Sequence, residues 1–312
     1  MSFSVKIVAD SVGPNGARVT TFALRYPRML HQEFLTHRAF SRSSTSSRAV
    51  PTAKMIEWVM DDPATPVSWG RNRRGMQATE ELPAEARWHA LKVWLSARDA
   101  AVAHVRSLGD LDVHKQIASR ILEPFAHINT VVTATDFENF FALRCHPDAM
   151  PEIQVLAVKM ARAYRGSTPR ELDEGEWHLP FVDEGDLARV REMRRGVRTQ
   201  ADVPAILDVQ ERLAKLSVAR CARVSYQTFD GKDPDPEADI RLHDRLLADG
   251  HFSPFEHQAR ACGCRIYSGN FSGWMQYRQT LARSVHESFD YTSLDALGDR
   301  EFFEADITEE QP

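Results

Sequence analysis

Thr36-His37-Arg38-Ala39-Phe40-Ser41-Arg42-Ser43-Ser44-Thr45-Ser46-Ser47-Arg48 is where the chain turns from scaffold to chemistry. It holds three arginines, and from Ser41 to Ser47 six side chains carry hydroxyls. A helix leads into it, because Met29, Leu30, Phe34 and Leu35 recur at helical spacing. Before that helix, the β-branched and aromatic run from Ala17 to Leu24 predicts a strand, which Pro27 breaks. The planar fork of arginine matches phosphate oxygens in two-point contacts. Hydroxyls and loop N–H groups complete an anion cradle. The alternative reading of the same composition is a solvated or phosphorylatable loop.

The bulk composition narrows the setting. A chain of 312 residues with 43% hydrophobic residues supports one large core or two smaller ones. A formal net charge of −5 speaks against a general nucleic-acid binder. No apolar run reaches the roughly 20 residues of a membrane helix. The first residues, Met1-Ser2-Phe3-Ser4-Val5-Lys6-Ile7-Val8, read as an opening strand rather than a signal peptide. A soluble, cytoplasmic protein is therefore expected. The four cysteines, Cys145, Cys221, Cys262 and Cys264, are expected as thiols. Cys262-Gly-Cys264 lacks the second pair that a zinc site needs, so no metal is expected and small buried strand residues are the simpler reading.

Further along, residues 61–83 read as loop. A helix is predicted from Pro83 to Leu108, with Trp88, Leu91, Leu95, Val102 and Val105 on one core-facing side. Asp136 caps a helix carrying Phe137, Phe140 and Phe141, and Pro151 opens the next. Residues 166–203 are polar and charged, a surface connection. Helices are expected near 204–219 and 237–249, the second stopped by Gly250, with strands at 222–228 and 257–267. The class is α+β, a mixed or antiparallel sheet with a helical bundle. The catalytic unit is expected over 1–292, in parts 1–165 and 204–292, followed by an acidic and possibly disordered tail over 293–312.

Two other segments carry candidate chemistry. In His251-Phe252-Ser253-Pro254-Phe255-Glu256-His257, two histidines flank a glutamate, a set able to orient a ligand or move protons. Pro254 speaks against the helical His pair of a metal site. In Asn139-Phe140-Phe141-Ala142-Leu143-Arg144, the arginine shares a face with aromatic residues, where it is either held for function or snorkels to solvent.

Together these segments resemble the flavin-dependent thymidylate synthases. That family's signature is Arg-His-Arg, seven residues, Ser, then Arg two beyond; Thr36-His37-Arg38, Ser46 and Arg48 match it except at the first position. Ala222-Arg223-Val224-Ser225-Tyr226 and His251 through His257 match two further family segments. Asn139 through Arg144, with Asp148-Ala149-Met150-Pro151-Glu152-Ile153, resembles a fourth. The order differs from the family's, with the Ala222 and His251 segments following the arginine loop instead of preceding it. A circular permutation or partial duplication accounts for this, and Asn270 through Arg278 looks like an echo of the segment before the loop.

The resemblance implies a thymidylate-synthase-complementing fold and reductive methylation of dUMP at C5. Methylenetetrahydrofolate would give the carbon and NADPH the electrons, through FAD. It implies FAD contacts from His37, Arg38, Asn139, His251, Ser253 and Glu256. Ser46, Arg48 and Arg120 would hold the nucleotide phosphate, and Arg144 would face the pyrimidine as the catalytic guanidinium. A homotetramer is implied too. Departures stand at Thr36, Glu33, Met150, Thr133 and Thr135. The alternatives are the same scaffold acting on another pyrimidine nucleotide, such as dCMP or a 5-substituted uracil nucleotide, a non-catalytic nucleotide or nucleic-acid binding module, or a metal-dependent hydrolase built on the His251 segment.

Overall fold

The expected strand at Ala17–Leu24 becomes β2 (Arg18–Pro27), near the centre of a five-stranded sheet. The computed structural model describes residues 3–75, 77–78, 80–197, 199, 203–226 and 235–281, with backbone alone at 225 and 226. The sheet runs in the order β3 (Ser41–Ser44), β4 (His127–Ala134), β2, β1 (Ser4–Val12), β5 (Arg170–Glu171). Its pairs are antiparallel except β1 with β5. A three-stranded sheet orders β10 (Trp274–Gln276), β7 (Ala259–Ala261) and β6 (Trp177–His178), and β8 (Tyr267–Ser268) pairs with β9 (Phe271–Ser272).

Side chains alternate across a strand, so register decides what each face carries. Tyr26 opposite Ile128, and Phe22 opposite Val132, put one face into an apolar core. That core is covered by α1 (His31–Leu35), α5 (Glu138–Arg144) and α6 (Pro151–Gly166), through Phe34, Phe140, Ile153 and Leu156. Fully burying each such side chain contributes about 1.5–3 kcal/mol before entropy is counted. The other face is polar, with Ser11, Thr21, Thr133 and Ser43 along it. One end of it is closed by a buried chain of hydrogen bonds. Ser43 Oγ meets His257 Nε2 at 3.0 Å, His257 Nδ1 meets Thr133 Oγ1 at 2.9 Å, and Thr133 meets Thr21 at 2.7 Å. Thr21 Oγ1 then meets His178 Nε2 at 2.8 Å, and His178 Nδ1 meets Ser11 Oγ at 3.0 Å. All five links are satisfied when both imidazoles are neutral and every group donates in the same direction.

A second apolar cluster joins α2 (Thr52–Asp61), α3 (Ala84–Asp110), α4 (Lys115–Ala118) and the 3-10 segment Ser119–Phe125. Val102 and Val105 of α3 are buried there as expected, but Trp88 is 53% exposed, with Lys92 over its ring. The N-terminal half of α3 projects past the core that its C-terminal half meets. The polar stretch 166–203 holds β5, β6 and α7 (Glu184–Arg195).

The strand expected at 222–228 is corrected. Residues 222–226 continue α8 (Val203–Tyr226), because the helix is buried on both sides here, by Leu213 and Leu216 in one cluster and Val218 and Ala222 in another, and that burial outweighs the β-branched Val224. Within the run 257–267 the strand residues are those of β7 and Tyr267, which opens β8. Beyond β7 the chain bends, leaving Cys262 half-buried and Cys264 exposed rather than packed on a strand. The helix near 237–249 is α9 (Pro236–Ala248), and Gly250 follows it at φ +70°, the left-handed conformation glycine adopts freely. α10 (Tyr277–Thr280) follows β10. Residues 227–228 and the acidic tail over 293–312 lie outside the described residues.

Candidate active site

The short edge strand β3 is where the separated segments meet. The loop before it carries His37 and Arg38, and the loop after it carries Ser46 and Arg48. Its other edge and polar face receive the C-terminal half of the chain. His257 bonds Ser43, while Gln276 Nε2 donates to Ser41 Oγ at 3.2 Å and to the Glu256 carbonyl at 3.2 Å. Asn270 Nδ2 donates to the Ala39 carbonyl at 2.8 Å. Thr45 Oγ1 donates to the Val224 carbonyl at 3.1 Å, fixing the end of α8 beside the loop. Segments 36–48, 222–226 and 251–257 are thus neighbours in space.

The fourth segment arrives from α5. Arg144 Nε donates to His37 Nε2 at 2.9 Å, and a terminal nitrogen of Arg144 lies 3.4 Å from Thr36 Oγ1. The Arg144 guanidinium is half-buried and anchored by this bond to His37. His37 is buried against Phe40 and Phe140, and its pKa falls to about 4. Burial is the main cause, with Arg144 and Arg42 adding to it. His31 falls to about 4 as well, through burial first and then Arg28 and Arg42. Both histidines are kept neutral chiefly by burial, with arginines beside each adding to it.

The arginines converge further on Glu123. Its Oε1 accepts from Ser47 Oγ at 2.6 Å and faces Arg28 at 3.2 Å and Arg120 at 3.5 Å. Arg120 and Arg48 are exposed, and Ser46 is half-buried one residue from Ser47. The structure therefore brings Arg28, Arg120 and Ser47, the residue between Ser46 and Arg48, to a single carboxylate.

The remaining candidates are placed differently. Asn139 is exposed, and at 100° per residue it lies about 140° around α5 from Arg144. His251 and Ser253 are exposed at the 3-10 turn Ser253–Glu256, and the Glu256 carboxylate is engaged by Arg278. His257 belongs to the buried network, where burial holds its pKa at about 3. Thr133 is in the same network, and Thr135 Oγ1 accepts from the Ser272 N–H at 3.0 Å. Met150 packs against the apolar core. Gly273 of the Asn270–Arg278 echo sits at φ +77°, and a Cβ there would lie 2.6 Å from Ala17 Cβ. Only glycine fits that close approach.

Sequence reading missed Glu123 as the anchor of the arginines, and Asn270 and Gln276 as the links to β3. The Glu123 signal was at hand, since it lies three residues from Arg120. Among the described residues no cluster of His, Cys, Asp and Glu is arranged to hold a metal ion, and no helix is long and apolar enough to cross a membrane.

The thymidylate synthase complementing protein family matches residues 17–170. Two crystal structures of the UMP/dUMP methylase PolB from Streptomyces cacaoi are similar in part. The one bound with 5-Br UMP is 16% identical over 52% of this chain and 88% of that chain, with a TM-score of 0.42. The one bound with 5-Br dUMP is 19% identical over 47% of this chain and 66% of that chain, with a TM-score of 0.40. No curated protein matches the chain. The residues matched, 17–170, are the part of the chain that carries the arginine loop, Arg120 and Arg144.

Proposed function

We propose that this protein is a flavin-dependent C5 methyltransferase of uracil nucleotides, converting dUMP to dTMP with methylenetetrahydrofolate and NADPH. The observation that carries the reading is the meeting of Arg144, His37 and the Arg/Ser loop around β3. Ser46, Arg48 and Arg120 hold the phosphate, with Glu123 keeping Arg120 and Arg28 in place until the nucleotide arrives. Arg144, oriented by neutral His37, faces the pyrimidine carbonyl and stabilises the negative charge that builds on the ring.

His37, Arg38, Asn139, His251, Ser253 and Glu256 are the residues that would hold FAD. Their donor set fits a pyrophosphate-bearing cofactor, since Arg38, His251 and Ser253 are exposed and the Glu256 charge is offset by Arg278. When bound, the flavin supplies the hydride that NADPH provides, and the protein's part is to orient it. The unit extends over 1–292 with its segments in rearranged order, and it works in the cytoplasm as a homotetramer, a state that light scattering would read directly.

The first test is the visible absorption spectrum of the purified protein, with and without added FAD. Flavin bands bleached by NADPH are expected; a colourless protein that takes up no FAD would overturn the reading. A second reading, the same scaffold acting on another pyrimidine nucleotide, is favoured by Glu33. Its Oε2 is buried without a hydrogen-bond partner, where the resemblance expects a glutamine. Product analysis on dUMP, UMP, dCMP and 5-substituted uracil nucleotides separates the two.

A further inference from the structure

Between β7 and β8 the chain passes through residues 262–266, and Cys262 and Cys264 stand there with only Gly263 between them. Cys262 is half-buried, Cys264 is exposed, and both are free thiols. Residues two apart can lie at most about 7 Å from one another between Cα atoms. The chain bends at Gly263 and Cys264, which shortens that reach toward the roughly 4.4–6.8 Å that a disulfide spans. Gly263 N–H donates to Glu174 Oε1 at 3.4 Å, and a Cβ there would lie 3.2 Å from Glu174 Oε2, so glycine lets the bend sit against that carboxylate. The Cys262 thiol donates to the Arg260 carbonyl at 3.5 Å. Burial raises its pKa and Cys264 adds to the rise, so the two thiols are near enough to feel each other's charge.

The bend is the root of the β8–β9 hairpin, and that hairpin braces β3. Asn15 Nδ2 donates to the Cys264 carbonyl at 3.0 Å and to the Gly273 carbonyl at 2.8 Å, which ties the bend to the far side of the hairpin. Gly273 N–H donates to the Ile266 carbonyl at 2.7 Å. At the hairpin's tip, Asn270 holds the Ala39 carbonyl and accepts from Ser41 Oγ at 3.1 Å. Ser41 opens β3, inside the arginine loop. A short run of hydrogen bonds therefore joins the Cys264 backbone to residues 39–41.

We propose that Cys262 and Cys264 form a reversible dithiol–disulfide pair that sets the hold of the β8–β9 hairpin on β3. The oxidant is a low-molecular-weight disulfide such as oxidised glutathione. Cys264, the exposed thiol, loses its proton to water, and its thiolate attacks one sulfur of that disulfide and releases one small thiolate. Cys262, once deprotonated, attacks Cys264 Sγ and displaces the second. The two protein thiols have then given up two electrons and two protons, and the small disulfide has become two thiols. An exposed disulfide closed over a single residue is of the labile kind, so excess small thiol reverses the step. Closing the ring draws Cys264 toward Cys262 and away from Asn15, which loosens the hairpin at its root. The thiol chemistry stands on its own, and only its consequence for turnover rests on the proposed methyltransferase.

Equilibration of the full chain in reduced and in oxidised glutathione, followed by alkylation and digestion with trypsin, tests this. Cleavage after Arg260 and Arg265 releases residues 261–265, a peptide that holds Cys262 and Cys264 and no other cysteine. From the oxidised buffer it should be lighter by two hydrogens and carry no alkyl label, and added thiol should restore both labels. Hydrogen exchange of the amides over 39–44 should be about tenfold faster or more in the oxidised protein than in the reduced one. Cys264→Ser, at an exposed position, cannot close the ring and should keep the slow exchange in both buffers. Cys145→Ser should respond as the parent does. The proposal is overturned if the peptide keeps two alkylatable thiols in the oxidised buffer, if it carries glutathione in place of the ring, or if exchange over 39–44 is the same in both buffers. None of these readouts uses turnover or flavin, so their failure is distinct from failure of the methyltransferase reading.

Discussion

Arg144 Nε and His37 Nε2 are 2.9 Å apart, and the bond can run in only one direction. The guanidinium has no acceptor, so His37 must accept at Nε2 and, being neutral, carry its proton on Nδ1. This fixes the tautomer and aims the remaining donor away from Arg144. Burial is the main reason the imidazole stays neutral, and Arg144 adds to it, since a second N–H at Nε2 would oppose the guanidinium.

Arg144→Lys tests the role of the fork. A lysine ammonium keeps the charge but loses the planar geometry that lets Arg144 meet His37 and Thr36 together. Turnover should fall about 10²- to 10³-fold, the scale of losing one preorganised donor. The nucleotide KM should move little, because the phosphate is proposed to rest on Ser46, Arg48 and Arg120. Steady-state kinetics reads both, and unchanged turnover would remove Arg144 from the reacting centre.

Arg120→Ala should act on binding instead. Its guanidinium is exposed and held by Glu123 at 3.5 Å, so its loss leaves the fold intact. A charge-assisted hydrogen bond to phosphate contributes about 1.5–3 kcal/mol, so the nucleotide KM should rise roughly ten- to a hundredfold with turnover nearly kept. Glu123→Gln should do the opposite and tighten inorganic phosphate binding, because it frees Arg28 and Arg120 from an internal anion. Weaker phosphate binding in Glu123→Gln would mean the carboxylate only positions the arginines.

The sequence shows the parts of this site more readily than their arrangement. The helices opened by Pro83 and Pro151 follow local rules, because proline and apolar spacing act over a few residues, whereas Ser41–Ser44, expected as loop, is β3, held as a strand by its pairing with β4. The helical state of Ala222–Tyr226 did not show, because a short stretch with Val224 is ambiguous until the burial of α8 on both sides decides it. His257 reads as chemistry in a His/Glu segment, yet it is a buried bridge between β3 and β4; only the register of the sheet tells the two apart. Lys6, Arg25 and Asn129 form no motif at all. They line one cleft because β1, β2 and β4 are neighbours, a fact of topology rather than of spacing along the chain.

Asp239→Ala should cost stability. Asp239 is fully buried and accepts from Arg223 Nε at 2.6 Å and Arg220 Nε at 3.2 Å, joining α9 to α8. Removing one partner of a buried pair leaves the other charge uncompensated, a loss of about 3–5 kcal/mol when both are deep. The two arginine side chains are 23% and 13% exposed, so part of that is recovered from water and about 2–4 kcal/mol is expected. Urea unfolding measures it, and a change below about 1 kcal/mol, the range of surface pairs, would show the pair to be dispensable.

The hydrogen-bonded chain across β3, β4, β2 and β1 makes stability depend on pH. Burial lowers the pKa of His178 and His257 to about 3 from an ordinary 6.5. Above 6.5 both states of the chain hold these histidines neutral, and their contribution to stability is complete. As pH falls below 6.5 the unfolded chain takes up protons that the folded protein refuses, so stability declines until about pH 3. Each histidine adds about 1.4 kcal/mol of loss per pH unit in that window. Carboxylates also titrate there, so total acid sensitivity does not isolate the effect. His257→Gln does, because an amide still reaches both Thr133 and Ser43 but takes up no proton. The slope of unfolding free energy between pH 6 and pH 4 should be shallower in the variant by about 1.4 kcal/mol per unit, while stability at pH 7 changes far less. Equal slopes in the two proteins would mean that His257 is protonated in the fold and that the chain tolerates a buried imidazolium.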